Sequence, residues 1–223
     1  MIAGRRQFLT LLAGAGVFMG RAGPLGRFIY RAETFGGAAA LGGAAASPGF
    51  AGPALAQAPG MNRVTAFAFS FAGLDGKEIL LSAHAGKPIL LVNTASLCGY
   101  TPQYAGLQQL WTRYGGRGLM IVGVPTNDFG GQEPGGPKEI SATAHQQYHV
   151  GFPLAAKVDV KGPGAHPFYK WAALERPLDT PRWNFHKYLI GRDGRIAAVF
   201  PTAIEPMDAR VISAIEKELG KAD

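Results

Sequence analysis

The chain has 223 residues, 47% of them hydrophobic and 17% charged, which is enough for one domain of ordinary size with a buried core. Its formal net charge is +7, but residues 1–56 carry five arginines and one glutamate, so the rest of the chain carries only +3. That part contains no run of Lys and Arg of the kind that binds nucleic acid, and no nucleic-acid partner is expected. One cysteine, Cys98, is present, which excludes an internal disulfide and a cysteine-based zinc site.

The N-terminus has the pattern of an export signal. Two adjacent arginines, Arg5 and Arg6, precede the apolar run 11–19, which is typical of twin-arginine signals. The run is shorter than the roughly 20 residues that a membrane span needs, so no stable membrane span is expected. Small residues at 54–56 match a cleavage pattern, and a second candidate lies at 44–46.

The change in composition along the chain predicts a boundary between an N-terminal segment and a folded domain. We expect residues 1–60 to comprise a signal peptide and a Gly/Ala-rich disordered segment, and residues 61–223 to form the folded domain. This interpretation predicts a periplasmic or extracellular location. The alternative is that Met61 is the true start, in which case the protein is cytoplasmic.

Hydrophobic patterning and turn residues predict the elements of the folded part. Short continuous apolar runs indicate strands buried on both faces, and apolar residues at helical spacing indicate amphipathic helices. In chain order the predicted elements are a hairpin (67–71 and 78–81), a buried strand (88–93), a helix after a Thr101 N-cap that ends at 115–116, a second buried strand (119–124), a Gly-rich loop (125–136), helices at 137–148 and 165–174, a second hairpin (183–190 and 196–200) and a C-terminal helix (208–219).

This order of elements predicts the fold class. After the N-terminal β-hairpin, the succession β-α-β-α-β-β-α indicates an α/β domain with a central mixed β-sheet flanked by helices. The arrangement matches the thioredoxin-like fold.

Cys98 occupies the loop that follows the first buried strand and precedes a helix. A helix N-terminus presents unpaired N–H groups and a partial positive charge, which favour the nucleophilic thiolate form of a cysteine. The alternative is a buried structural cysteine, but a strand-to-helix loop is not a packing site. The position therefore favours a reactive thiol.

Three separate stretches carry a family resemblance. They are 93–101 (NTASLCGYT), 127–134 (NDFGGQEP) and 183–187 (WNFHK). Together they resemble the signature stretches of the glutathione peroxidase family, and they occur in the family order. Any one of them alone would be a weak signal, whereas three in order are a strong one.

The resemblance implies that Cys98 is the residue that attacks peroxide. It also implies that three neutral N–H donors surround the sulfur: Gln132, Trp183 and Asn184. Such donors can stabilise negative charge on sulfur and orient the O–O bond. The implied activity is thiol-dependent reduction of hydrogen peroxide or organic hydroperoxides through a cysteine sulfenic acid, without a cofactor or metal.

Several departures from the family bear on turnover. Many members carry Cys where this chain has Thr126, and members that resolve the sulfenic acid internally use a second Cys at the position of His145. An external thiol reductant is therefore implied, either glutathione or a thiol protein.

The segment between Trp171 and Trp183 lacks the insertion that builds tetramers in some members, so a monomer is expected. His145 and His149, four residues apart, are too few for a metal site.

Other functions fit the sequence less well. A dithiol oxidoreductase needs a second Cys where Thr101 stands, and a peroxiredoxin needs its Thr one residue closer to the cysteine than Thr94. The alternative from another class is a non-catalytic thioredoxin-like binding protein, such as a periplasmic redox or metal carrier. A single cysteine argues against such a carrier, which usually needs two cysteines and a nearby histidine.

Overall fold

The computed structural model of the protein describes residues 64–220. The helices and strands of this part are, in chain order, β1 (Ser70–Ala72), β2 (Glu78–Leu80), β3 (Ile89–Thr94), α1 (Gln103–Tyr114), β4 (Met120–Pro125), α2 (Pro137–Ser141), α3 (Pro167–Glu175), β5 (Lys187–Ile190), β6 (Ile196–Phe200) and α4 (Ala209–Leu219).

The central sheet has four strands in the order β4-β3-β5-β6. Strand β3 is parallel to β4 and antiparallel to β5, and β6 is antiparallel to β5. Strands β1 and β2 form a separate antiparallel hairpin. The predicted α/β fold is therefore confirmed: a thioredoxin-like mixed sheet flanked by helices, with an N-terminal hairpin.

Strand direction brings three connections to one end of the sheet. Because β3 and β4 are parallel, their carboxyl ends lie side by side, with Thr94 opposite Pro125. Because β5 is antiparallel to β3, its first residue, Lys187, lies opposite Val92 near that same end. The loops after β3 and β4 and the turn before β5 therefore emerge together.

The core has two layers because β3 and β4 are buried along their whole length. Alternate side chains of a strand point to opposite faces of the sheet. Leu90 and Val92 of β3 belong to the apolar cluster that includes residues of α1 and α4. Ile89 and Leu91 belong to the cluster that includes residues of α3. Each large apolar side chain buried in this way contributes about 1.5–3 kcal/mol.

The first predicted strand and the predicted helix 137–148 differ from the observed elements. The first strand was predicted from residue 67, but Ala66–Ala68 form a 3-10 turn and β1 begins at Ser70. The helix that begins at Pro137 is α-helical only to Ser141 and then widens into a π-helix, Ala142–Gln147. Periodicity of the apolar residues does not distinguish these tighter and wider turns.

The predicted export signal, with Arg5 and Arg6, lies outside the described residues, as do both predicted cleavage sites and the boundary at residue 60. The export signal, its cleavage and this boundary stay predictions. In the part of the chain that the structure describes, no helix combines the length and apolar character needed to cross a membrane.

Candidate active site

Cys98 lies in the loop between β3 and α1, and it is 6% exposed. The prediction that this loop is not a packing site was wrong, because Cys98 is buried in the apolar cluster that includes residues of α1. The loop closes on itself through Thr101, whose backbone N–H donates to the Cys98 carbonyl oxygen at 2.9 Å. The Thr101 hydroxyl accepts the Cys98 N–H at 3.1 Å and lies 2.9 Å from the carbonyl oxygen of Ala95. These bonds hold the loop main chain on both sides of the sulfur.

Thr101 does not cap the helix, so that prediction was wrong. Helix α1 begins at Gln103, Pro102 occupies the N-cap position, and no side chain caps the helix. The chain first makes a tight turn from Cys98 to Thr101, and the hydroxyl is used inside that turn. Thr101 is thus a residue of the site whose role the sequence did not reveal.

The sulfur of Cys98 accepts a hydrogen bond from the backbone N–H of Tyr100 at 3.4 Å. This N–H belongs to the turn that leads into α1. A donor fixed by the main chain can stabilise negative charge on sulfur without reorganising during the reaction.

Gln132 lies in the loop after β4 and contacts the two other site segments. Its carbonyl oxygen accepts the N–H of Leu97, the residue before Cys98, at 3.0 Å. Its side-chain oxygen accepts a hydrogen bond from Asn184 Nδ2 at 3.0 Å. The Gln132 amide nitrogen therefore keeps its own two hydrogens for another acceptor. These contacts join Gln132, Asn184 and the Cys98 loop in one cluster.

Trp183 and Asn184 lie in a turn before β5 rather than in the strand predicted from residue 183. That prediction was wrong because Phe185 adopts a left-handed backbone conformation (φ 61°), which interrupts a strand. Such a conformation costs a non-glycine residue on the order of 1–3 kcal/mol. Buried contacts offset the cost: the Phe185 ring is buried, and its N–H donates to the Asn93 carbonyl oxygen at 2.6 Å.

The indole of Trp183 packs against the loop that carries Gln132. Its ring centroid lies 5.9 Å from that of Phe129, and a Cβ at Gly130 would lie 3.4 Å from the indole. Gly130 has φ +67°, so glycine suits both the turn and the close approach. Among residues 64–220 the Trp183 N–H has no hydrogen-bond partner, whereas the Trp171 N–H donates to the Val64 carbonyl oxygen.

Glu133, next to Gln132, is almost completely buried. Burial raises the pKa of its carboxyl group, while hydrogen bonds from Ser96 and the charge of Lys157 oppose the rise. Ser96 Oγ donates to Glu133 Oε2 at 3.1 Å, and Lys157 Nζ donates to the Glu133 carbonyl oxygen at 3.0 Å. The residue therefore braces the Gln132 loop against the Cys98 loop. Sequence reasoning missed it because an acidic residue in a Gly-rich loop is normally solvated.

A cavity of about 400 Å³ opens beside Trp183 and Tyr100. Part of its lining is apolar: Leu178, Val199, Pro201 and Ala203. His186 also lines it, and burial lowers the pKa of this imidazole to about 4, so the ring is neutral at pH 7. A cavity of this size and polarity can hold the apolar part of a small organic molecule.

His145, at the position of the resolving Cys in other members, and Asp128, in the Gln132 loop, make local hydrogen bonds. His145 is exposed on the π-helix, where its Nδ1 lies 2.9 Å from Ser141 Oγ. Asp128 Oδ2 accepts the N–H groups of Val160 and Lys161, at 2.6 and 3.1 Å. Among the described residues, no group of three or more His, Cys, Asp or Glu is placed to hold a metal ion.

Comparisons with known proteins bear on the activity. The glutathione peroxidase family model matches residues 66–173. The chain is 42% identical over 164 residues to the hydroperoxy fatty acid reductase gpx1 of Synechocystis sp., a match that covers 70% of this chain and 96% of that protein. It is 40% identical over 135 residues to the glutathione peroxidase-like peroxiredoxin gpx1 of Schizosaccharomyces pombe, covering 59% and 85%. The crystal structure of T. cruzi GPX1 matches with a TM-score of 0.57 at 30% identity, covering 72% and 99%.

Removing either donor group should slow the reaction of Cys98 with peroxide. Gln132→Ala and Trp183→Phe each remove an N–H donor, and loss of one such donor costs up to about 10²–10³ in rate. The loss in rate is smaller if the remaining donors stabilise the same charge. Stopped-flow measurement of sulfenic acid formation checks this, with Gln109→Ala, an exposed amide on α1, as the matched control. Unchanged rates in both variants would mean that the cluster is only structural.

Proposed function

Since the chain belongs to the glutathione peroxidase family and is a thiol-dependent peroxidase, we propose that Cys98 attacks the peroxide and that Gln132, Trp183 and Asn184 assist it. One observation carries the proposal. The sole thiol of the chain lies in a loop that is hydrogen-bonded to Gln132, which is itself hydrogen-bonded to Asn184.

In the first step, the Cys98 thiolate attacks one oxygen of the peroxide. The O–O bond breaks, the sulfur becomes a sulfenic acid, and the leaving oxygen takes up a proton to depart as water or an alcohol. Negative charge moves from sulfur to oxygen during this step. We assign the stabilisation of this charge to the Tyr100 N–H, the Gln132 amide and the Trp183 indole. In support, the Tyr100 N–H donates to the sulfur of Cys98, and the Gln132 loop is hydrogen-bonded to the Cys98 loop.

In the second step, a thiol reduces the sulfenic acid. A first thiol attacks the sulfur of Cys98, releases water and leaves a mixed disulfide; a second thiol then frees Cys98 and carries away the disulfide. Because the chain has one cysteine, both thiols come from outside it. The proposed partner is glutathione or a thiol protein.

The cavity beside Trp183 supports organic hydroperoxides as substrates in addition to hydrogen peroxide. Its apolar lining suits the carbon chain of such a molecule. One relative is named a hydroperoxy fatty acid reductase, which agrees with this substrate class. Peroxide consumption with both kinds of substrate tests the point directly.

Cys98→Ser should abolish the reduction of hydrogen peroxide and of an organic hydroperoxide, because the variant has no thiol to oxidise. The fold should persist, since the substitution is nearly isosteric. Peroxide consumption with excess thiol measures the activity, and circular dichroism measures the fold. Residual turnover above a few per cent of the parent would contradict the assignment.

Without a resolving cysteine, the sulfenic acid on Cys98 should be exposed to further oxidation. We expect excess peroxide alone to add two or three oxygens to the Cys98 peptide, giving sulfinic or sulfonic acid. Added thiol should suppress these products and leave its own mass on the same peptide. Mass spectrometry reads out both. The one-cysteine mechanism fails if Cys98 remains a free thiol throughout, or if thiol gives no protection.

We also propose that residues 1–60 direct export of the folded protein to the periplasm or cell exterior, because the Arg5-Arg6 pair and the following apolar run are typical of twin-arginine signals. Residues 1–60 fused to a reporter that works only when exported folded should deliver it. Changing Arg5 and Arg6 together to Lys should retain the reporter inside the cell. The matched control changes Arg21 and Arg27 to Lys, and equal export of both double variants would refute the proposal.

A further inference from the structure

Three consecutive carbonyl groups in the turn before β5 are each bound by the side chain of a different segment. The donors are Asn93 Nδ2 to the Trp183 oxygen (3.1 Å), Thr202 Oγ1 to the Asn184 oxygen (2.8 Å) and Lys187 Nζ to the Phe185 oxygen (2.7 Å). We refer to Asn93, Thr202 and Lys187 as the turn clamp. Nothing in the chemistry of peroxide attack requires these donors to touch the substrate.

Lys187 is the charged member of the turn clamp, and its side chain is fully buried. Besides the Phe185 carbonyl oxygen, Nζ donates to Gln103 Oε1 at 2.7 Å and to the Ile204 carbonyl oxygen at 2.8 Å. One ammonium group therefore joins the turn, the first residue of α1 and the segment between β6 and α4. A buried charge is retained only where such partners compensate its desolvation.

The hydrogen-bond geometry favours the ammonium form of Lys187. Burial lowers the pKa of its side chain to about 7, and the charge of Glu205 partly opposes this effect. Three acceptors surround Nζ, and three N–H donors are needed to satisfy them. The ammonium form has three, whereas a neutral amine has two and would leave one acceptor unbonded.

Gln103 connects Lys187 with Thr202. The Gln103 side-chain oxygen accepts from Lys187, and its Nε2 donates to the Thr202 carbonyl oxygen at 2.8 Å. Thr202 in turn donates to the carbonyl oxygen of Asn184, whose side chain holds the Gln132 amide. Hydrogen bonds between successive residues thus connect the buried cation, through Gln103, Thr202 and Asn184, with Gln132.

We propose that Lys187 and Thr202 are positioning residues for the peroxide step. They hold the turn so that Asn184 orients the Gln132 amide and Trp183 faces the reacting atoms. The proposal rests on the proposed function of Cys98. A small misplacement of groups around a reacting centre can cost up to about a hundredfold in rate, so loss of the clamp should be visible in the kinetics.

Two rate constants of Cys98, measured on the full chain, separate positioning from simple stabilisation. One is for oxidation by hydrogen peroxide, and the other is for alkylation by iodoacetamide, which involves no O–O bond to orient. Lys187→Met and Thr202→Val should lower the ratio of peroxide rate to alkylation rate by about ten- to a hundredfold. Lys77→Met, an exposed lysine of the N-terminal hairpin region, is the control and should leave the ratio unchanged.

A ratio within twofold of the parent in every folded clamp variant overturns the proposal. If Lys187→Met does not fold, Thr202→Val decides, because it removes a single hydroxyl donor from a half-buried residue. The experiment distinguishes failure of the turn-clamp proposal from failure of the proposed function. In the first case Gln132→Ala and Trp183→Phe still slow the peroxide step; in the second, neither does.

Discussion

The site depends on the register of β3 with its two neighbours. Thr94 pairs with Pro125 of the parallel strand, and Val92 pairs with Lys187 of the antiparallel one. This pairing alone brings the Cys98 loop, the Gln132 loop and the Trp183 turn to the same end of the sheet. A shift by one residue would turn every side chain of the strand to the opposite face and would break both buried layers of the core. Packing of the apolar core therefore determines which loops lie together at this end of the sheet.

Loops near the sulfur of Cys98 are held by side chains that bind main-chain groups. Thr101 binds the Cys98 loop, Lys157 binds the Glu133 carbonyl oxygen, and Asn93 binds that of Trp183. A buried carbonyl or N–H without a partner costs about 1–3 kcal/mol, so these donors resist displacement. The loops that carry the proposed donors to peroxide are consequently held in place by these hydrogen bonds, and electrostatic stabilisation of a reaction requires donors that are positioned in advance.

Much of the fold was predictable because strands buried on both faces and an amphipathic C-terminal helix leave clear hydrophobic patterns. The three sequence motifs predict Cys98, Gln132, Trp183 and Asn184 as site residues, but they do not predict the contacts among them. The left-handed Phe185 was not predictable, since nothing local distinguishes it from a strand residue. Nor were the burial of Lys187 and Glu133, because charged residues are normally solvated and only long-range contacts reveal their partners.

The central claim is that the surroundings of Cys98 accelerate its attack on peroxide. Its most direct test is the second-order rate constant for sulfenic acid formation on the reduced full chain, compared with free cysteine at the same pH and corrected for the thiolate fraction of each. The arrangement of donors predicts a rate at least about a hundredfold higher in the protein. A rate equal to that of free cysteine would contradict the account and would favour a thioredoxin-like binding protein without peroxidase chemistry.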